Sequence, residues 1–183
     1  MSRIELGTTI KMLFSFPISV SSLGLLNGNM RWLNTPVLSA QSILAADLVR
    51  WAPLQPVVLA LDDYSFVREA VRMILDPKHL SVQVVEAETS EQALEIAARR
   101  RIDLVISDII RPGMKGLEFL RVFKSSYGAV PVIIASAMLN EDVSGLAYGL
   151  GAYACLLKPC AVDEFLLTVA GALQQRAITS RPK

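Results

Sequence analysis

Between Val57 and Gln175 the chain repeats one pattern five times: a short apolar run, a polar break, then apolar residues at helical spacing. Val57-Val58-Leu59-Ala60-Leu61 ends at Asp62-Asp63. Tyr64 to Leu75 then carries Phe66, Val67, Ala70, Val71 and Ile74 at helical spacing, and Pro77 stops that helix. The β-rich Val82 to Val85 precedes a helix opened by Thr89, with Gln92 three residues on as a capping box. That helix ends in Arg99-Arg100-Arg101, a solvated end that suits the helix dipole. Leu104-Val105-Ile106, Val130 to Ala135 and Tyr153 to Leu157 are the remaining predicted strands. Their helices span Leu117 to Lys124, Glu141 to Gly149 and Val162 to Gln175. Strands alternating with helices predict an α/β fold whose parallel sheet is covered on both faces. Right-handed crossovers leave few topologies. A doubly wound five-stranded sheet of order 2-1-3-4-5 is the expected one.

Composition divides the chain near Pro53-Leu54-Gln55-Pro56. Residues 1–56 hold four basic and two acidic residues; residues 57–183 hold fourteen and fifteen, a net charge of −1. The stretch Met12 to Leu26 is apolar but broken by Ser15, Pro17, Ser19, Ser21, Ser22 and Gly24, too short and polar to span a membrane. A charged start followed by such a stretch can be read as a targeting peptide. The preferred expectation is a poorly ordered or weakly helical extension over residues 1–53, with a helix around Ser39 to Trp51. The domain proper is expected over 54–177, with a tail at 178–183. The balance of 18 basic and 17 acidic residues gives no electrostatic footprint for nucleic acid. Two cysteines, Cys155 and Cys160, are too few for a disulfide scaffold. A single histidine, His79, in a turn-like segment argues against a multi-histidine metal centre or a Ser-His-Asp hydrolase.

Parallel strands all point one way, so residues just past their carboxyl ends gather on one edge. Here those residues are Asp62 and Asp63, Asp108, Ser136 and Lys158. Three clustered carboxylates repel one another. A hard divalent cation such as Mg²⁺ relieves that repulsion and accepts carboxylates, waters and phosphate oxygens together. A lysine adds a mobile positive charge suited to a phosphoryl group, and a small hydroxyl can donate to another phosphoryl oxygen. An Asp carboxylate can act as nucleophile and form an acyl phosphate. Asp108, after the central strand, is the candidate.

The set resembles a response-regulator receiver domain, the phosphoacceptor half of two-component signalling. The resemblance covers roughly Val57 to Gln175. It rests on Asp62-Asp63, on Asp108-Ile-Ile-Arg-Pro112-Gly-Met-Lys-Gly116, on Ser136-Ala137 and on Lys158-Pro159. It implies a flavodoxin-like fold with Asp108 as phosphoacceptor. It implies Mg²⁺ held by Asp63, Asp108 and the main-chain carbonyl of Ile110, with Asp62 helping. Ser136, Ala137 and Lys158 would surround the phosphoryl group, and the Lys158-Pro159 peptide would be cis. The donor would be a sensor histidine kinase or a histidine phosphotransfer protein, which implies a cytoplasmic location. The chain would be a signalling protein rather than an enzyme acting on other substrates.

Several positions depart from the family pattern. Arg111 stands where Met is common and Lys115 where Asp is common. The switch pair would be Ser136 and position 155, but position 155 is Cys rather than an aromatic residue. Tyr153, two residues earlier, is expected on the same strand face as Cys155. Both Cys155 and Cys160 are expected to be small buried apolar residues. Ile110 and Met138 are apolar and cannot orient an attacking water, so slow self-dephosphorylation is expected. With eight residues after Gln175, the expectation is a stand-alone receiver whose output is contact with another protein. That contact would use the face of the fourth helix, fifth strand and fifth helix, including Leu146, Tyr148, Tyr153, Val162 and Phe165. One alternative is a pseudo-receiver, an interaction module that takes no phosphate. Another is a haloacid-dehalogenase-type phosphatase, which needs a second acid where Ile110 stands. No Gly-x-x-x-x-Gly-Lys-[Ser/Thr] match is present, which excludes a P-loop NTPase.

Overall fold

The computed structural model describes residues 25–26, 29–30, 55–75, 82–110 and 115–179. Five strands form one sheet: β1 Val57–Leu61, β2 Gln83–Ala87, β3 Leu104–Ser107, β4 Val132–Ser136 and β5 Ala154–Leu157. Five helices follow them in turn: α1 Ser65–Ile74, α2 Ser90–Arg99, α3 Gly116–Ser126, α4 Glu141–Gly149 and α5 Val162–Thr179. The strand order is β2-β1-β3-β4-β5, and every pairing is parallel. This is the expected 2-1-3-4-5 topology. Leu25–Leu26 and Asn29–Met30 pair as a short antiparallel ladder of their own. The helix suggested for Ser39 to Trp51, His79 and the Arg111–Met114 segment lie outside the described residues.

Alternation along the central strands builds two cores. Val58, Ala60, Leu104, Ile106 and Ile133 face α1 and α5, where Val71, Phe165 and Val169 meet them. Leu59, Leu61, Val105, Val132 and Ile134 face the other way, toward Phe119, Phe123, Ala93 and Ala147. Each fully buried Leu or Phe contributes about 1.5–3 kcal/mol. Strands β1, β3 and β4 are buried throughout. The edge strands β2 and β5 have one strand neighbour each and are only half-buried.

Local chemistry sets the boundaries. Pro131 has no N–H, so β4 starts one residue after it. The Thr89 hydroxyl accepts from the Gln92 N–H at 3.2 Å and caps α2; the Gln92 amide returns to the Glu88 N–H at 2.7 Å. Helix α5 continues past the expected Gln175 to Thr179, whose hydroxyl donates back to the Gln175 and Arg176 carbonyls. At the amino-terminal edge of the sheet the buried Asp103 carboxylate accepts from the Val57 N–H at 3.0 Å and from Arg101 Nε at 2.7 Å. It ties the start of β1 to the start of β3. Helix α4 buries only Ala147 among its nine residues. Among the described residues no helix is long and apolar enough to cross a membrane.

One expectation fails. Tyr153 does not share a face with Cys155. It packs with the α1–α5 core, its hydroxyl seated against Gly171, whereas Cys155 packs with the opposite core. Strand β5 begins only at Ala154, so the two-residue period does not reach back to position 153.

Candidate functional site

The parallel sheet delivers Asp62, Asp108, Ser136 and Lys158 to one edge, just beyond or at the ends of β1, β3, β4 and β5. Lys158 is the hub. Its Nζ donates to Asp62 Oδ2 at 2.8 Å and to Asp108 Oδ2 at 3.1 Å. The second oxygens of both carboxylates bind main chain. Asp62 Oδ1 accepts from the Tyr64 N–H at 3.0 Å. Asp108 Oδ1 accepts from the Ile109 and Ile110 N–H groups at 2.5 and 3.1 Å. Burial alone would raise the Asp108 carboxyl. The Lys158 charge, the Ser136 hydroxyl and the Ile110 amide outweigh it and hold the group below its ordinary value of 3.8. Ser136 is buried at the end of β4, and its Oγ also accepts a long bond from the Met138 N–H at 3.4 Å. Ala137 follows it, exposed. The Lys158-Pro159 peptide is cis.

Asp63 completes the acid pair differently. Its Oδ1 is buried and has no hydrogen-bond partner among the described residues. A buried carboxylate oxygen left without a donor calls for a cation or a water. Among the described residues no three acidic, His or Cys side chains converge as a closed ligand set, and Asp62 and Asp108 both bind Lys158. A small hard dication keeps several waters and needs only one or two carboxylates, so the donors present fit it.

The expected switch position carries a thiol instead of an aromatic ring. Cys155 is half-buried beside Ile134 on β4, two residues short of Ser136. Its N–H, on the outer edge of β5, donates to the Tyr148 hydroxyl at 3.3 Å. Thus the phenol of an α4 residue caps the main chain at position 155. Burial raises the Cys155 thiol, partly countered by Tyr148 and Ser144. Cys160 is fully buried, and burial with the nearby Glu164 pushes its thiol up to about 11. Both thiols are therefore held protonated at neutral pH, and the thiol form is a poor nucleophile. At pH 8, Ellman's reagent is expected to label Cys160 only after unfolding, and Cys155 more slowly than a free thiol. Rapid labelling of Cys160 in the folded chain would contradict this.

On the expected output face, Leu146 and Tyr148 are exposed, Tyr153 and Val162 are half-buried, and Phe165 belongs to the core. Leu157, not singled out in the sequence, is exposed there too. Two further residues border the acid pair without any sequence signal. Arg68 on α1 reaches the Asp62 carbonyl, and Glu86 on β2 holds Arg68. Their meeting depends on the β1–β2 register, in which Ala60 lies beside Glu86.

A doubly wound sheet with acids, hydroxyl and lysine gathered at its carboxyl edge defines a signalling receiver. The model of the response regulator receiver domain matches residues 58–170, and the chain belongs to that family. Receiver domains are the phosphoacceptor modules of two-component signalling. The chain is 34% identical over 120 residues to the response regulator MprA of Mycobacterium leprae, covering 64% of this chain and 51% of that protein. It is 34% identical over 125 residues to the KDP operon transcriptional regulatory protein KdpE of Escherichia coli, covering 68% and 54%. The chain thus spans about half the length of these curated relatives. Among solved structures, the chemotaxis protein CheY4 of Vibrio cholerae superposes with a TM-score of 0.60 at 28% identity. That match covers 66% of this chain and all of that one.

Proposed function

We propose that this protein accepts a phosphoryl group on Asp108 from a histidine-phosphate donor and that the modification changes its contacts with a partner protein. The observation that carries the reading is the convergence of Asp62 and Asp108 on Lys158, with the Ser136 hydroxyl on Asp108 and a buried Asp63 oxygen that has no partner among the described residues. An Asp108 carboxylate oxygen attacks phosphorus, the P–N bond to the donor imidazole breaks, and an acyl phosphate forms. The depressed Asp108 carboxyl keeps the nucleophile ionised at neutral pH. Lys158 and Ser136 stand where they can meet charge on the transferred oxygens. Asp63, Asp108 and the Ile110 carbonyl would hold Mg²⁺, with Asp62 assisting. The ion, when bound, would neutralise charge on the phosphoryl oxygens.

The donor would be a sensor histidine kinase or a histidine phosphotransfer protein, in the cytoplasm. The α4–β5–α5 face, with exposed Leu146, Tyr148 and Leu157, would meet the downstream protein. The test is phosphoryl uptake. The full chain is incubated with Mg²⁺ and acetyl phosphate beside an Asp108→Asn variant, and intact mass is read. Gain of one phosphoryl group, abolished in the variant, is expected. No gain from either acetyl phosphate or a phosphorylated histidine donor would overturn the reading in favour of an interaction module.

The lifetime of the acyl phosphate follows from the rim of the site. Ile110 and Met138 are 53% and 64% exposed there, and neither side chain can hydrogen-bond an attacking water. Self-dephosphorylation is expected to take minutes or longer. A half-life of seconds, measured by loss of the phosphorylated mass after desalting, would contradict this.

A further inference from the structure

The residues that hold the main chain of the acid pair carry a role of their own. Arg68, one turn into α1, donates from its terminal guanidinium nitrogen to the Asp62 carbonyl at 2.6 Å. Its Nε donates to Glu86 Oε2 at 3.3 Å, near the end of β2. The Arg68 side chain is only 13% exposed. A planar guanidinium presents its donors in fixed directions, so two anchored contacts define where the fork lies. The atom it grips belongs to the peptide linking Asp62 to Asp63. Rotation of that peptide would swing the Asp63 carboxylate, whose buried Oδ1 has no other partner to hold it among the described residues.

Arg68 does not neutralise the acids directly. The Asp62 and Asp108 carboxylates are taken by Lys158, and the Arg68 charge faces Glu86. We infer that Arg68 is a positioning residue for the divalent cation: braced by Glu86, it fixes the Asp62–Asp63 peptide so that Asp63 presents its free oxygen. This inference rests on the Mg²⁺ reading given above. It makes a prediction opposite in sign to a simple charge effect. Removing a cation near an acidic site would tighten Mg²⁺ binding by Coulomb attraction, whereas losing the brace would weaken it.

The experiment is calorimetric titration of Mg²⁺ into the full chain as wild type, Arg68→Met, Arg68→Lys and Glu86→Gln. Thermal midpoints are recorded with EDTA and with Mg²⁺. Supporting contacts behind metal ligands are worth about tenfold to a hundredfold in affinity. Arg68→Met is expected to weaken Mg²⁺ about tenfold and to shrink the Mg²⁺-induced rise in midpoint. Arg68→Lys keeps the charge but loses the fork and is expected to weaken it nearly as much. Glu86→Gln is expected to fall between these and wild type. At saturating Mg²⁺, phosphoryl uptake should recover, separating affinity from chemistry. If Arg68→Met does not fold, the Lys and Gln variants decide the matter. Equal or tighter Mg²⁺ binding in the variants overturns the inference while leaving the proposed function intact. Absence of Mg²⁺ binding in the wild type overturns the metal reading and this inference with it.

Discussion

Replacing Lys158 with Met is expected to lower the stability of the metal-free chain by about 3–5 kcal/mol, the usual cost of removing one partner from a buried ion pair. The ammonium is bound by two carboxylates at once, and the three side chains are only 12%, 6% and 14% exposed for Lys158, Asp62 and Asp108. Methionine keeps most of the apolar stem, so the loss reports the charge rather than the packing. The variant leaves two near-buried carboxylates without the ammonium that binds both. Mg²⁺ should therefore restore part of the loss, and urea midpoints with EDTA and with Mg²⁺ would measure both effects. Phosphoryl uptake should also slow by about a hundredfold, comparable to removing one donor from an oxyanion site. An unchanged midpoint in EDTA would mean that the two contacts contribute nothing net.

Gly116→Ala is expected to cost about 3 kcal/mol, as overpacking against rigid atoms does. A Cβ at Gly116 would sit 2.5 Å from the Asp108 carbonyl and from the Ile109 Cα, and 2.9 Å from the Ile109 carbonyl. All three are main-chain atoms and cannot swing aside. The Gly116 N–H also donates to the Ile109 carbonyl at 2.9 Å, so the first turn of α3 rests directly on the loop that carries Asp108. Separation would move the proposed acceptor, and phosphoryl uptake should fall along with the thermal midpoint. Gly145→Ala is the control. Nothing lies within 4 Å of a Cβ there, and replacing a helical glycine should stabilise by about 0.5–1 kcal/mol. A Gly116→Ala variant as stable and active as the wild type would refute the contact.

The five strand–helix units were legible because continuous apolar runs and helical spacing rarely coincide by accident, whereas the fourth strand begins at Val132 rather than the expected Val130 because Pro131 cannot donate to the ladder. The residues gathered at the carboxyl edge were legible for a topological reason: once strand order is known, the residues after each strand must meet. What stayed hidden depends on exact register or on main-chain proximity. Arg68 finds Glu86 only because β1 and β2 pair with Ala60 beside Glu86. Gly116 reads in sequence as a loop residue, and only the path of the chain brings Ile109 against it. Asp103 carried no sequence signal, yet it is buried and binds the first residue of β1. Tyr153 was misread because strand periodicity was extended one residue too far.

The two borders of the sheet have a consequence for behaviour at high concentration. An open strand edge is a template on which another chain can add a strand. On β2, Glu86 and Gln83 carry side-chain partners Arg68, Arg72 and Arg100, so approach of a second β2 would bring a dense set of charges together. On β5, the Tyr148 phenol covers the outward Cys155 N–H that an incoming strand would need. Both borders thus present obstacles to strand addition. Tyr148→Phe would uncover one of them, and light scattering during prolonged incubation would register any resulting aggregation.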